Sequence, residues 1–186
     1  MLITEDRVRS AARRQTTRLF KSADTVLAEA LKATVNEFDV FLCHSTKDAE
    51  IVLGTKAILE DDYNFTVYVD WIVDSELREA KITPVNADKL RQRMRCSKML
   101  LYIKTDNSPD SKWMPWELGF FDALGRPIGI LPIVKSARTN YDGAEYLGLY
   151  PYVDEAQIKN STERTLFINK SATDYDLLKN AFRKRS

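Results

Sequence analysis

Histidine and cysteine are scarce in this chain of 186 residues, which holds one histidine, His44, and two cysteines, Cys43 and Cys96. The cysteines are far apart and lack the CxxC spacing, so we expect neither a disulfide framework nor a zinc site. A metal centre built from several histidines is excluded by the single His44. Both cysteines are expected to be buried as small apolar side chains.

The chain also lacks a marked excess of either charge and any long apolar run. Lys and Arg number 28 and Asp and Glu number 27, which gives a net charge of +1. A nucleic-acid-binding protein would show a basic excess, and a membrane-spanning helix needs about 18 apolar residues. The N-terminus carries several arginines but no apolar signal core. We therefore expect a cytoplasmic protein whose partners are neither a membrane nor a nucleic acid.

Residues 1–35 are predicted to be a helical extension of a domain that spans residues 36–186. Apolar side chains recur there at steps of three and four residues, which is typical of an amphipathic helix: Val8, Ala12, Leu19, Ala23, Val26 and Ala30. Such a helix packs on the domain or on a second copy of the chain. Because arginines fill much of the opposite face, a helix that lies on a membrane surface is the alternative interpretation.

From residue 37 the pattern changes to short apolar runs that alternate with helical spacing. The predicted strands are 38–43, 65–69, 98–103, 128–133 and 165–168. The predicted helices cover 51–61, 85–95 and 111–124, and a last helix begins at residue 173. This alternation predicts an α/β fold with a central parallel sheet and helices on both faces. Ligands of such sheets bind beyond the carboxyl ends of the strands, where the strand order reverses.

Three loops should meet at that end of the sheet: 44–48, 70–84 and 104–117. The first begins with His44, whose simplest interpretation is structural. The second is rich in carboxylates, so it is either a solvated acidic loop or a mobile loop that closes over a ligand. After it, the basic stretch 89–95 is expected to be a solvated helix face.

Several common catalytic motifs are missing. The chain has no GxGxxG or GxxxxGKS/T phosphate-binding loop and no GxSxG nucleophile turn. Its least ordinary stretch is 111–119, where Trp113 and Glu117 are four residues apart and share one helical face. An aromatic plate beside a carboxylate suits a flat cationic ring attached to a sugar. The alternative is that Glu117 serves the helix start and that the tryptophans lie in the core.

Three segments resemble the Toll/interleukin-1 receptor (TIR) domain family. The run Phe38–Asp48 resembles the family's first signature, in which an aromatic-Asp-Val strand precedes a loop with Ser and Asp. The run Ser111–Leu118 resembles its glutamate helix, and Ile128–Ile133 resembles its fourth strand. The likeness covers roughly residues 37–135 in the right order. Residues 113–122 further resemble bacterial TIR-like proteins, some of which act in antiphage systems such as Thoeris.

The resemblance implies a flavodoxin-like fold with a central five-stranded parallel sheet. It also implies an enzyme that cleaves the nicotinamide–ribose bond of NAD⁺. The family's essential glutamate maps onto Glu117 and its stacking tryptophan onto Trp113. The other candidate substrate-binding residues lie at the ends of two predicted strands: His44, Ser45, Asp70 and Trp71. We expect no metal and no cofactor, since NAD⁺ is the substrate.

Partners follow from the resemblance as well. TIR enzymes build the site partly from a neighbouring protomer, so self-association is expected, and a downstream effector would sense the nucleotide product. That product is ADP-ribose or a cyclic or derivative form of it. Two alternatives stay open. One is a non-enzymatic TIR scaffold that acts by homotypic assembly, and the other is an enzyme like the nucleoside deoxyribosyltransferases, which use a nucleophilic glutamate on a related fold.

Overall fold

The computed structural model describes residues 1–30, 37–71, 84–143, 145–159 and 161–182. Its strands are β1 (Ile3–Thr4), β2 (Phe38–Cys43), β3 (Val67–Tyr68), β4 (Ser97–Lys104), β5 (Ile128–Val134), β6 (Tyr152–Gln157), β7 (Arg164–Asn169) and β8 (Tyr175–Leu177). Its α-helices are α1 (Glu5–Leu19), α2 (Ala23–Ala30), α3 (Ala49–Ala57), α4 (Pro84–Arg95) and α5 (Trp113–Ala123). Shorter pieces are a π turn, Ile58–Asp62, and the 3-10 turns Thr46–Asp48, Ser108–Asp110, Glu145–Leu149 and Leu178–Asn180.

The strands form one sheet in the order β3-β2-β4-β5-β6-β7-β8, with β1 paired to β5. Every pairing from β3 to β6 is parallel, as is that of β1. The predicted α/β class, with a flavodoxin-like parallel core, is confirmed. The main path of the sheet holds the expected five parallel strands, β3-β2-β4-β5-β6, and β1, β7 and β8 extend it within the described residues. β7 pairs antiparallel with β6 and β8, so the strand predicted at 165–168 runs opposite to the core.

The sequence pattern did not predict β6, because the two side chains that this strand buries are not both apolar. They are Val153, which is fully buried, and Glu155, whose side chain is 2% exposed. The Glu155 carboxylate accepts hydrogen bonds from Arg7 at 2.5 Å and from the Tyr63 hydroxyl, and it pairs with Arg164 at 2.7 Å. A buried charge is tolerated when it is paired in this way. The resulting network joins α1, β6 and β7.

The prediction of a helix from residue 173 is wrong, because β8 forms at Tyr175–Leu177 and, within the described residues, a 3-10 turn follows it. The apolar residues whose spacing indicated a helix are buried or half-buried without forming one. Leu178 is fully buried, and Phe182 packs edge-to-face on Phe65 with ring centroids 5.2 Å apart. Pairing with β7 along the sheet edge therefore overrides the local helical pattern, since strand formation depends strongly on tertiary context.

Alternate residues of the central strands build two cores, one on each face of the sheet. Val40 and Leu42 pack toward α1, α2 and α3, whereas Phe41 and Cys43 pack toward α4 and α5. Burial on both faces is typical of parallel strands. The prediction that Cys43 is buried is confirmed. Cys96 is exposed, so the same prediction is wrong for it, because it lies in the turn between α4 and β4.

α1 packs against α3 with its backbone close to that helix. A Cβ atom at Gly54 would lie 1.9 Å from the carbonyl oxygen of Val8, so a side chain there has no room. Val8 and Leu27 are fully buried in the core that the sheet shares with α3. Residues 1–30 therefore belong to this core, while the domain boundary at residue 35 stays a prediction. No described helix is long and apolar enough to span a membrane.

The α1–α3 contact yields a matched pair of substitutions. Gly54→Ala should lower the free energy of unfolding by about 1–3 kcal/mol or more, because α1 must move to admit the methyl group. Gly119→Ala, in α5, meets no atom within 4 Å and should raise it by about 0.5–1 kcal/mol through helix propensity. Urea denaturation of both variants measures the difference. A Gly54→Ala protein as stable as the wild type would contradict the close packing of α1.

Candidate active site

A buried carboxylate ties the exits of β2 and β4 together. Asp48 accepts hydrogen bonds from the Thr105 hydroxyl and from the Asn107 side-chain amide, both at 2.6 Å. The Thr105 N–H donates to Ser108 Oγ at 2.8 Å, and that hydroxyl donates to the carbonyl oxygen of Ile103 at 3.0 Å. Because these groups all lie at the carboxyl ends of neighbouring strands, the network fixes the rim on which the candidate residues stand.

His44 and Trp71 stack at the same rim. Their ring centroids are 5.3 Å apart with the planes inclined by 15°, and both side chains are buried. Burial lowers the pKa of His44 to about 4, so the imidazole is neutral at pH 7. Its Nδ1 lies 2.8 Å from the carbonyl oxygen of Leu42, which assigns the proton to Nδ1. His44 therefore presents a flat neutral ring and not a cation.

Ser45 and Asp70 are buried beside these rings. Ser45 Oγ accepts from the Lys47 N–H at 3.4 Å and caps the 3-10 turn that follows β2. Ser45 thus begins this 3-10 turn, and α3 itself starts at Ala49. Asp70 leaves β3 and adds its charge to the surroundings of Tyr68.

Glu117 lies on the buried stripe of α5. The helix begins at Trp113, after the Ser111 hydroxyl accepts from the Met114 N–H at 3.3 Å. From there, residues three and four apart face the sheet, and they are apolar except for one: Met114, Glu117, Leu118 and Phe121. The Glu117 side chain is only 7% exposed. A carboxylate at a core position costs free energy, and such departures from the local rule are expected at functional sites.

Two tyrosines that sequence reasoning missed share the electrostatic surroundings of Glu117. Tyr68 ends β3 and Tyr102 lies in β4, on the strands either side of β2. Burial raises the pKa of both hydroxyls above the ordinary value of a tyrosine. Asp70 adds to the shift at Tyr68, Cys43 adds to it at Tyr102, and the charge of Glu117 contributes to both. The period-two alternation of the strands could have found them, since they share the sheet face of Cys43.

Trp113 and Trp116 form an edge-to-face pair at the start of α5, with ring centroids 5.3 Å apart and planes at 81°. Both are half-buried and pack against the core cluster on this face of the sheet, so the alternative that places them in the core stays open. They line a cavity of about 310 Å³ together with Ala87, Arg91 and Lys112. Trp113 is four residues before Glu117 and therefore lies on the same side of α5. Its ring packs against the ring of Trp116.

The basic face of α4 is solvated in part, as predicted: Lys89 and Arg95 are exposed, whereas Arg91 and Arg93 are half-buried. Three of its guanidinium groups lie over aromatic rings, at 5.4–5.5 Å from the ring centroids: Arg91 over Trp116, Arg93 over Tyr68 and Arg95 over Phe120. Each such contact contributes about 0.5–1 kcal/mol or more as water is excluded. They dock α4 onto α5 and β3, because every second residue from 91 to 95 places its guanidinium group over a ring.

The structure brings five of the six predicted residues to one end of the sheet. His44, Ser45, Asp70 and Trp71 stand at the exits of β2 and β3. Glu117 lies on α5, which packs on β2, β4 and β5, and the first turn of α5 meets the end of β2, where Cys43 Sγ lies 3.8 Å from the Met114 carbonyl oxygen. Their catalytic and binding roles stay predictions. Most of the predicted acidic loop, residues 72–83, lies outside the described residues. Within the described ranges, no group of three or more His, Cys, Asp or Glu side chains is arranged to hold a metal ion.

Two curated proteins are similar to this chain, whereas no protein-family model matches it. The chain is 41% identical over 163 residues to "Probable 3′ cyclic ADP-D-ribose synthase ThsB′" of Bacillus cereus (strain MSX-D12), a match that covers 86% of this chain and 84% of that protein. It is 32% identical over 94 residues to "Putative cyclic ADP-D-ribose synthase TIR2" of Cytobacillus dafuensis, which covers 49% of this chain and 24% of that protein.

The buried His44 predicts a pH dependence of stability. Its pKa is about 4 when folded and 6.5 when exposed, so the unfolded chain binds the proton more readily. Between pH 6.5 and 4 this proton alone should lower the free energy of unfolding by roughly 3 kcal/mol, and above pH 6.5 it has no effect. As the chain's one histidine, His44 gives a single imidazole NMR signal to titrate. An inflection near pH 6.5 in the folded protein would contradict its burial.

Proposed function

Since the chain belongs to the TIR-domain family of cyclic ADP-ribose synthases, we propose that it cleaves the nicotinamide–ribose bond of NAD⁺ and releases a cyclic ADP-ribose. That product acts as a signal in bacterial antiphage defence. The observation that carries this proposal is the similarity to the Bacillus cereus synthase along most of both chains. The burial of Glu117, on a helix that packs on β2, β4 and β5, supports it from the structure.

Glu117 is the catalytic residue of this proposal. Nicotinamide leaves NAD⁺ as a neutral molecule that keeps the electron pair of the broken C–N bond, so the departure needs no general acid. Positive charge develops on the ribose, as in the oxocarbenium-like transition state of glycoside hydrolysis. A carboxylate fixed in a buried position stabilises that charge more strongly than one in water.

The acceptor then decides the product. In cyclisation, a hydroxyl oxygen of the same molecule bonds to the ribose carbon and its proton passes to the Glu117 carboxylate. In hydrolysis, water takes the place of that hydroxyl and gives linear ADP-ribose. The proton returns to solvent in both cases, so neither a redox cofactor nor a metal ion takes part, and NAD⁺ is the substrate.

Substrate binding is assigned to the residues around Glu117. Trp113 offers a ring at the start of α5, beside the 310 Å³ cavity with its two cationic side chains. The stacked His44–Trp71 pair offers a neutral surface for a flat ring. Ser45 and Asp70, at the same rim, offer the polar groups that ribose hydroxyls require.

Self-association and a downstream effector complete the proposal. Among the described residues β3 is the strand at one edge of the sheet, so Tyr68, Asp70 and Trp71 stand where a neighbouring protomer can complete the site. A protein that binds cyclic ADP-ribose would receive the signal.

Glu117→Gln tests the function directly. The amide keeps the volume and removes the charge, so nicotinamide release should fall at least about 100-fold, while the melting temperature changes by only a few degrees. Glu163→Gln, which alters an exposed carboxylate, serves as the control and should keep wild-type activity. The assay follows NAD⁺ and its products by chromatography and mass, with a chelator present.

Activity that survives in Glu117→Gln at half the wild-type rate would remove Glu117 from the mechanism. Loss of activity in the chelator, restored by a divalent metal, would contradict the metal-free chemistry. A wild-type protein that releases no nicotinamide at any concentration would favour the non-enzymatic scaffold.

A shared site predicts that activity depends on protein concentration. Specific activity should rise as the protein is concentrated from the nanomolar to the high micromolar range, because only neighbouring protomers complete the site. Light scattering on the same samples should show the assembly over the same range. Constant specific activity from a strictly monomeric protein would mean that one chain suffices.

A further inference from the structure

A cavity of about 310 Å³ lies between α4 and α5. Ala87 and Arg91 line it from α4, whereas Lys112, Trp113 and Trp116 line it from the start of α5. Arg91 is half-buried and Lys112 is exposed. No carboxylate among the described residues contributes to these walls, so the cavity offers two cations beside two indole rings.

The Arg91 guanidinium is fixed in direction but keeps most of its donors available. Its Cζ atom lies 5.4 Å from the centroid of the Trp116 ring, and Nη1 donates to Asp88 Oδ1 at 2.6 Å. The Asp88 side chain is 67% exposed, and an ion pair of this kind contributes little free energy. Because a guanidinium carries several N–H donors in one plane, Arg91 can bind an anion in the cavity and keep its contact with the ring.

The cavity lies within one helical turn of the candidate catalytic carboxylate. Trp113 precedes Glu117 by about 6 Å along the helix axis, and Trp116 points about 100° around the helix from it. The two indole rings touch edge to face, with centroids 5.3 Å apart, so they join the side of α5 that carries Glu117 to the side that meets α4. The same turn of α5 contacts the end of β2, where Cys43 Sγ lies 3.8 Å from the carbonyl oxygen of Met114. A ligand at Glu117 can therefore extend past the Trp113 ring into the cavity.

The charge of the cavity decides which part of NAD⁺ it can hold. The nicotinamide ring is cationic, so Arg91 and Lys112 repel it. The adenine ring is neutral and gains little from two cations. The diphosphate is anionic, and a single CH₂ group joins it to the ribose that nicotinamide leaves. It is therefore the anionic part of the substrate that lies nearest to a ribose at Glu117, and the planar fork of a guanidinium matches two of its oxygens.

We propose that Arg91 and Lys112 bind the diphosphate of the substrate in the cavity between α4 and α5, and that they are specificity-determining residues of the Glu117 site. This inference rests on the proposed function and deepens it, since it restricts the substrate to nucleotides that carry a diphosphate. Trp116 positions Arg91 through its ring. The bound diphosphate holds the ribose beside Glu117 during cyclisation and hydrolysis alike, so both cations act on substrate binding and not on the choice of product.

Arg95 provides a matched control on the same helix. Its guanidinium lies 5.4 Å from the centroid of the Phe120 ring, the distance that also separates Arg91 from the Trp116 ring. Arg95 is about 6 Å further along the axis of α4, where it lines a different cavity together with Cys96 and Arg126. Arg95→Met therefore removes the same charge and the same kind of ring contact without changing the walls of the cavity at Arg91.

The experiment measures binding and turnover separately. Isothermal titration calorimetry at one high micromolar protein concentration gives the affinity for ADP-ribose, which contains the diphosphate and has no nicotinamide to release, and for adenosine, which lacks the diphosphate. Nicotinamide release gives KM and kcat for NAD⁺ on the same proteins. The variants are Arg91→Met, Arg91→Lys, Lys112→Met and the control Arg95→Met.

Arg91→Met should weaken the binding of ADP-ribose about tenfold, which corresponds to the loss of one charge-assisted hydrogen bond. It should raise KM for NAD⁺ by a similar factor and keep kcat within about threefold, because the lost contact is made before and during the reaction alike. Lys112→Met should weaken binding in the same direction. Arg91→Lys keeps the charge without the planar fork, so its affinity should lie between those of the wild type and Arg91→Met. Arg95→Met should keep wild-type values, and adenosine binding should be equal in all variants.

The outcomes separate this inference from the function beneath it. Unchanged affinity for ADP-ribose in Arg91→Met or Lys112→Met, or an equal loss in Arg91→Met and Arg95→Met, would overturn the diphosphate site and leave NAD⁺ cleavage intact. A wild type that binds ADP-ribose through Arg91 but releases no nicotinamide would overturn the proposed function and leave the diphosphate site. The substituted side chains are partly or largely exposed, so melting temperatures within a few degrees of the wild type should confirm that the variants fold.

Discussion

One buried carboxylate, Glu117 on the inward stripe of α5, is the constraint on which the rest of the site depends. A carboxylate at a core position is costly unless its surroundings are polar and fixed. Here the charge of Glu117 acts on two tyrosines, from β3 and β4, and the helix that carries it must stay docked on the sheet. The same burial that makes the position costly also makes its charge effective on a developing cation.

The neighbouring elements keep that position rigid. Arginines of α4 lie over rings of α5 and β3, which holds the helix in place from its outer side. Asp48 binds the exits of β2 and β4 together through Thr105 and Asn107, and the His44–Trp71 stack stands beside them. A site that is fixed before the substrate arrives needs little reorganisation during the reaction.

The two faces of the sheet have different tasks. α1, α2 and α3 cover one face, where the close contact at Gly54 and the ion pairs of Glu155 hold the N-terminal residues against the sheet. α4 and α5 cover the other face, which carries Glu117, the tyrosines and the tryptophans. Because the central strands alternate between the faces, the chemistry on one face rests on a support built by the other.

The sequence by itself determined the parallel core and singled out Glu117 as the candidate catalytic group. The apolar runs at 38–43, 98–103 and 128–133 are read correctly because strands buried on both faces are continuous in sequence. The i, i+4 spacing of Trp113 and Glu117 identifies α5 as the helix with a candidate site, because this spacing can be recognised within a few neighbouring residues. The tertiary structure alone decided β6, β8, the exposure of Cys96 and the tyrosines around Glu117. These features depend on contacts between segments that are far apart in the sequence, and such contacts cannot be predicted from the pattern of neighbouring residues.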